Sequence, residues 1–147
     1  MTDETELREG AAVALGAFRR LSGNSKFGYD RESLAWVEDY IESHRAGFSA
    51  EESQAFIGLV GAYLGECVRQ AYGGSWKEKD GAWAIVFEHG GGAFPFSKSR
   101  KLMEDGLSGG ESITSFFDVH PTILKLKRRS VITNLWRSLI RGFRRPA

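Results

Sequence analysis

The segment His89-Gly90-Gly91-Gly92 comes nearest to a catalytic device in this chain. Consecutive glycines can turn backbone N–H groups toward one point, where they would stabilise the oxyanion of an acyl-transfer intermediate. That chemistry also needs a serine on a strand-to-helix elbow of the form Gly-x-Ser-x-Gly. The chain is read as supplying no such elbow, and the three glycines as a hairpin turn that requires positive φ. Glu66 is the second chemical candidate, lying between Gly65 and Cys67 in a helical stretch. A partly buried glutamate needs a partner, and Arg69, three residues on, or Tyr29 would serve. Structural pairing is preferred for it over a binding role. A site assembled from Glu66, His89 and Asp118 is the remaining enzymatic alternative.

Metal and cofactor chemistry find little support. His44, His89 and His120 stand far apart, none with a second His or Cys at ligand spacing, and Asp118-Val119-His120 offers two ligands at most. A phosphate-cradling Gly-Lys-Ser/Thr loop and a spaced Gly-x-Gly-x-x-Gly are both missing, so no metal and no cofactor is expected. Cys67 falls among Leu64, Val68 and Ala71 on a helix and reads as a buried, inert thiol. One cysteine cannot form an internal disulfide, which fits a reducing compartment.

These residues must be positioned by helices first and strands later. Leu7, Ala11, Ala14, Leu15, Phe18 and Leu21 recur at three and four, predicting a helix over 4–21 that ends at Ser22-Gly23-Asn24. Asp30 should cap a second helix running to about Arg45, with Leu34, Val37, Tyr40, Ile41 and Trp36 as its apolar side. Ser49-Ala50-Glu51-Glu52 is a capping box that opens a third helix, through Phe56, Val60, Tyr63 and Leu64 to Gly73-Gly74. Gly58, Gly61 and Gly65 lie near one side of it, which predicts close backbone approach by a neighbour, since each glycine weakens the helix. Beyond Gly74 the period changes to two. Trp76 to Glu88 reads as a hairpin turned at Asp80-Gly81, pairing Trp83 with Glu78 and Ile85 with Trp76. Ala93-Phe94-Pro95-Phe96 is expected as a third strand, at an edge because proline lacks a donor. Ser97 should cap a short helix ending at Gly106, and Ser112 to Val119 should form another.

The 147 residues suit one domain, and 41% apolar against 27% charged is a globular balance. The start, Met1-Thr2-Asp3-Glu4, does not read as a secretory leader, and no run nears the roughly 18 apolar residues of a membrane span. Cytoplasmic placement is the expectation. Charge is divided unevenly. Residues 1–124 hold 12 Lys/Arg against 19 Asp/Glu, whereas residues 125–147 hold eight Lys/Arg and no acid. Val131, Ile132, Leu135, Trp136, Leu139, Ile140 and Phe143 give that extension an amphipathic helical pattern. The organisation expected is therefore one α+β domain over 1–124 and a basic helical extension over 125–147. The architecture expected is N-terminal helices packed on a small antiparallel sheet of about three strands, then short helices, then the basic helix.

Several blocks resemble a widespread family of small uncharacterised bacterial proteins. They are Phe27-Gly28-Tyr29-Asp30 with Ser33 and Trp36, Gly61-Ala62-Tyr63-Leu64-Gly65-Glu66, Tyr72-Gly73-Gly74-Ser75-Trp76, Phe94-Pro95-Phe96-Ser97-Lys98 with Gly106, and Glu111-Ser112-Ile113 with Phe116-Phe117. The resemblance covers about Phe27 to Pro121 and implies helices followed by a small antiparallel sheet. It brings no catalytic residues with it.

The function expected on these grounds is a non-catalytic cytosolic protein-interaction module, immunity- or adaptor-like. Tyr63, Glu66, Tyr72, Trp76 and Trp83 are its candidate contact surface, for a protein partner or a second copy of the chain. The alternative is binding of an anionic membrane surface through Lys125, Lys127, Arg128, Arg129, Trp136, Arg137, Arg141, Arg144 and Arg145. Nucleic acid is disfavoured, because the acidic body would repel phosphates.

Overall fold

In a computed structural model of the chain, residues 2–120 are described. Helix α1 (Glu4–Ser22) begins where the Asp3 carboxylate accepts the Glu6 N–H at 3.0 Å, and it ends at Gly23 with φ 64°. Leu7, Ala11, Ala14 and Phe18 form its buried line. Asp30 caps α2 (Arg31–His44) through the Ser33 N–H at 2.8 Å, and a 3-10 turn over Arg45–Gly47 follows. Leu34, Val37 and Ile41 are buried, whereas Trp36 and Tyr40 are only half-buried.

The capping box at Ser49 and Glu52 closes reciprocally, each bond 3.1 Å, and opens α3 (Ala50–Tyr72). Every residue from Gly61 to Val68 is buried. A helix buried all round has neighbours on every side, and α3 packs on α1, α2, β2 and α4 (Pro95–Asp105). Strands β1 (Ser75–Lys79) and β2 (Ala82–Val86) join through Asp80 and Gly81, whose φ values of 53° and 81° suit the right-handed twist of a hairpin. Trp76 opposes Ile85 and Glu78 opposes Trp83, the expected register. β3 (Gly92–Ala93) pairs antiparallel with β2, giving the order β1-β2-β3. The fold is α+β, with N-terminal helices preceding a small antiparallel sheet.

Two expectations need correcting. The third strand stops at Ala93, and Pro95 opens α4 instead of extending a sheet edge. Its locked φ and missing donor suit the first turn of a helix, whose leading N–H groups lack helical partners in any case. Ser97 therefore lies inside α4 and does not cap it. The glycines of α3 admit rings, not a neighbouring backbone: Phe96 lies against Gly61 and Trp76 against Gly65, while Gly58 faces open space.

After a 3-10 turn over Leu107–Gly109, residues 113–120 form helix α5 as far as the description extends. Two carboxylates one turn apart on α2 hold this region. Glu42 accepts the Leu107 N–H at 2.9 Å, and Glu38 accepts from Ser112 Oγ (2.6 Å), the Thr114 N–H (3.2 Å) and Thr114 Oγ1 (3.0 Å). Lys98 of α4 pairs with Glu111 at 2.6 Å. The chain divides into two units, Met1–Phe117 and Asp118–Ala147. The expected boundary at 124 and the basic helix beyond it lie outside the described residues.

The unequal glycines give a test. Gly58→Ala should raise stability by up to about 1 kcal/mol through helix propensity alone. Gly65→Ala should lower it by about 1–3 kcal/mol, because the new methyl meets the Trp76 ring. Urea midpoints of the two variants, at unchanged slope, would show the opposite signs.

Candidate functional site

Gly65 and Glu66 together make a socket for Trp76. The indole lies where Gly65 has no side chain, and its Nε1–H donates to Glu66 Oε1 at 3.0 Å. Arg69 adds a bidentate pair, Nε to Oε1 and Nη2 to Oε2, both 2.9 Å, and Gln70 Nε2 donates to Oε2 at 3.2 Å. A carboxylate offers about four lone-pair positions, and four hydrogen bonds take them up. Arg8 of α1 stands 3.9 Å away as a further ion-pair partner. Burial pushes the Glu66 pKa up, but the bonds from Arg69, Gln70 and Trp76 outweigh it, and the net direction is down. The same pairing raises the Arg69 pKa.

A groove of about 520 Å³ opens over this carboxylate, lined by Glu4, Thr5, Arg8, Glu9 and Ala12 of α1, by Tyr29, and by Gln70. Burial, and then the Glu66 charge, raise the Tyr29 pKa. The groove floor is an ionised carboxylate already saturated by its own neighbours, a structural arrangement and not a poised general base.

The candidate contact surface does not hold together as one. Tyr63, Glu66 and Trp76 are 0%, 3% and 2% exposed and belong to the interior. The physical reason is the burial of α3 on every side. Tyr63 donates its hydroxyl to the Gly28 carbonyl at 2.5 Å and sets its ring edge-on to Phe18 at 5.4 Å. Tyr72 and Trp83 are half-buried, and the Tyr72 ring lies 5.0 Å from Phe117. Lys125, Lys127, Arg128, Arg129, Trp136, Arg137, Arg141, Arg144 and Arg145 lie outside the described residues.

The catalytic alternatives are committed elsewhere. In the glycine turn, the Gly91 N–H donates to His89 Nδ1 at 3.0 Å and the Gly90 N–H to the Phe87 carbonyl at 2.9 Å. Two N–H groups that an oxyanion would need are thus spent inside the turn. His89 is exposed, lies over Phe87, and does not line the groove at Glu66. The letters of a serine elbow do occur, as Gly106-Leu107-Ser108-Gly109-Gly110, which corrects the expectation that the chain has none. They form a 3-10 turn following α4, so the strand-to-helix geometry is missing. Cys67 is fully buried, and that burial pushes its thiol up to about 12. His120 is buried, which lowers its pKa. Among the described residues, no three His, Cys, Asp or Glu side chains converge as metal ligands, and no helix is long and apolar enough to cross a membrane.

One surface was not legible as a site. Trp36, Tyr40 and His44 occur every fourth residue along α2, and Phe48 and Phe56 continue the line toward α3. Trp36 stacks on Tyr40 with centroids 5.2 Å apart, Tyr40 on His44 at 4.1 Å, His44 on Phe48 at 6.4 Å, and Phe48 on Phe56 at 4.6 Å, all within 22° of parallel. His44 Nδ1 lies 2.8 Å from the Tyr40 carbonyl, which fixes its ring. His44 is exposed and the other four are half-buried. The i, i+4 spacing was the available signal, and it reads equally well as core.

Glu66 sets a pH dependence. Its folded pKa lies below the ordinary 4.5, so the unfolded chain takes up the proton first. The stability it confers is present above about pH 4.5 and is lost as pH falls through the folded value. Glu66→Gln should cost about 2 kcal/mol at pH 7 and flatten the loss of stability between pH 5 and 3, measured by urea unfolding across that range.

No protein-family model matches the chain, and neither does a curated protein or a solved structure.

Proposed function

We propose that this protein is a non-catalytic interaction module that presents the Trp36–Tyr40–His44–Phe48–Phe56 strip to a protein partner. The strip carries the reading. Large rings at a surface are the residue types that concentrate binding energy, and rings already held by stacking lose little freedom when a partner covers them. The groups that would serve chemistry are engaged instead. Glu66 is saturated, Cys67 is buried as a thiol, and the glycine turn consumes its own donors. A cytoplasmic setting agrees with the single thiol. The Phe27–Pro121 blocks support a place among small uncharacterised bacterial proteins.

The test is affinity capture with the full chain and with a Tyr40→Ser/Phe48→Ser variant whose circular dichroism is unchanged. A stoichiometric partner retained by the first and reduced at least about tenfold by the second is expected. Equal capture by both chains, or no partner for either, would sink the proposal.

The second reading rests on the amphipathic, acid-free sequence over 125–147. It expects salt-sensitive co-sedimentation with vesicles containing anionic lipid, lost when the chain is cut after Leu124. Equal sedimentation of the truncated chain would remove it.

A further inference from the structure

Helix α1 packs one side on α3 and leaves the opposite side open. Leu7, Ala11, Ala14 and Phe18 take the packed line. Glu9, Val13, Gly16 and Arg20 recur at three and four on the far side, with Ala12 and Ala17 at its edges. The outward side of such a helix is ordinarily polar. Here its middle is apolar, and Val13, at 62%, is the most exposed large hydrophobic side chain among the described residues. Gly16 is also out of place. A glycine inside a helix weakens it, and no packing within the described residues requires this one. Only the tip of the Arg20 side chain comes near the place of its missing Cβ, at 3.6 Å. The two ends of the face carry opposite charge. Glu9 and Arg20 are exposed, and among the described residues neither forms a salt bridge.

These four positions match their own copy run in the opposite direction. In an antiparallel helix pair related by a two-fold axis, every contact occurs twice with the copies exchanged. An axis passing between Ala14 and Leu15 brings Val13 to Gly16 and Glu9 to Arg20, since each pair is equally spaced about that point. A branched side chain then enters the gap left by a missing one, and unlike charges close both ends. A foreign partner would account for the exposed valine. It would not account for a seat and a countercharge at mirrored positions of the same helix. We infer that α1 pairs antiparallel with α1 of a second copy of this chain. Glu9 also lines the groove over Glu66, so the second copy's Arg20 comes to the rim of that groove. One helix pair of about three turns falls below the roughly 1,200 Å² of stable interfaces, and the dimer is weak, dissociating on the order of 100 μM. Self-pairing through α1 requires nothing of the aromatic strip.

The experiment is sedimentation equilibrium of the full chain at low salt, at concentrations up to about 0.5 mM. A monomer–dimer equilibrium is expected, and Val13→Lys should abolish it. Glu9→Arg and Arg20→Glu, each alone, set like charges against one another at both ends and should weaken the dimer about tenfold. Mixing these two variants one to one should restore it, because each then meets on the other the countercharge it lacks. All three substituted side chains are exposed, and unchanged circular dichroism checks that the fold survives. A chain that stays monomeric throughout would overturn the assignment. So would single variants that dimerise as well as the parent, or a mixture no tighter than either variant alone. A dimer lost in Tyr40→Ser/Phe48→Ser but kept in Val13→Lys would move self-association to the aromatic strip and likewise overturn it. Capture of a different protein through the strip is a separate measurement, so the interaction reading survives a failure here.

Discussion

The described structure depends on one carboxylate. Glu66 sits in the middle of a helix packed on every side, where an unpaired charge would be prohibitive. It is tolerated because donors from two elements meet on it: Arg69 and Gln70 from its own helix, and Trp76 from the first strand. Gly65 beside it leaves room for the indole. The sheet is thus fastened to the central helix by a hydrogen bond and a ring seated on bare backbone. Arg8 brings α1 to the same point. Sheet and first helix converge on a single pair of oxygens, and for that reason the most conspicuous polar residue of the chain is a fastening and not a reagent.

Much of the fold was legible because local rules decide it. Asp30 and the Ser49–Glu52 box fix helix starts whatever the tertiary context, and Asp80-Gly81 fixes a hairpin register to the residue. The rules failed where one residue type has two uses. Pro95 fits an edge strand and a first helical turn equally well in sequence; in the fold it opens α4, and Phe96 lies against Gly61. The α3 glycines were recognised as points of close approach, but sequence does not say whether backbone or a ring arrives.

The candidate site was legible in its chemistry and not in its exposure. Pairing of Glu66 with Arg69 follows from their spacing of three. That Tyr63 and Trp76 are interior does not follow, since an amphipathic pattern shows which residues share a face but not how many faces are covered. The same limit hid the strip on α2. Trp36 and Tyr40 share the apolar side with Leu34, Val37 and Ile41, but they are half-buried where those three are buried. The serine pentapeptide at Gly106–Gly110 shows the converse, a complete motif in letters whose backbone is wrong for its chemistry.

The carboxylates that α2 lends to later residues bear on the order of assembly. Helix α5 has its first turn stabilised by Glu38, 76 positions earlier than Thr114, in addition to its own Ser112. A negative charge there complements the helix dipole. A short helix near the end of the described chain, which would ordinarily be the most local of elements, therefore acquires a long-range requirement. It gains its full support only after a wide loop has closed. Conversely, α2 reaches the end of synthesis-order folding with two acceptors, Glu38 and Glu42, that wait for residues 107–114 to arrive. The helix that carries the aromatic strip is completed by residues 65 to 76 positions further along the chain.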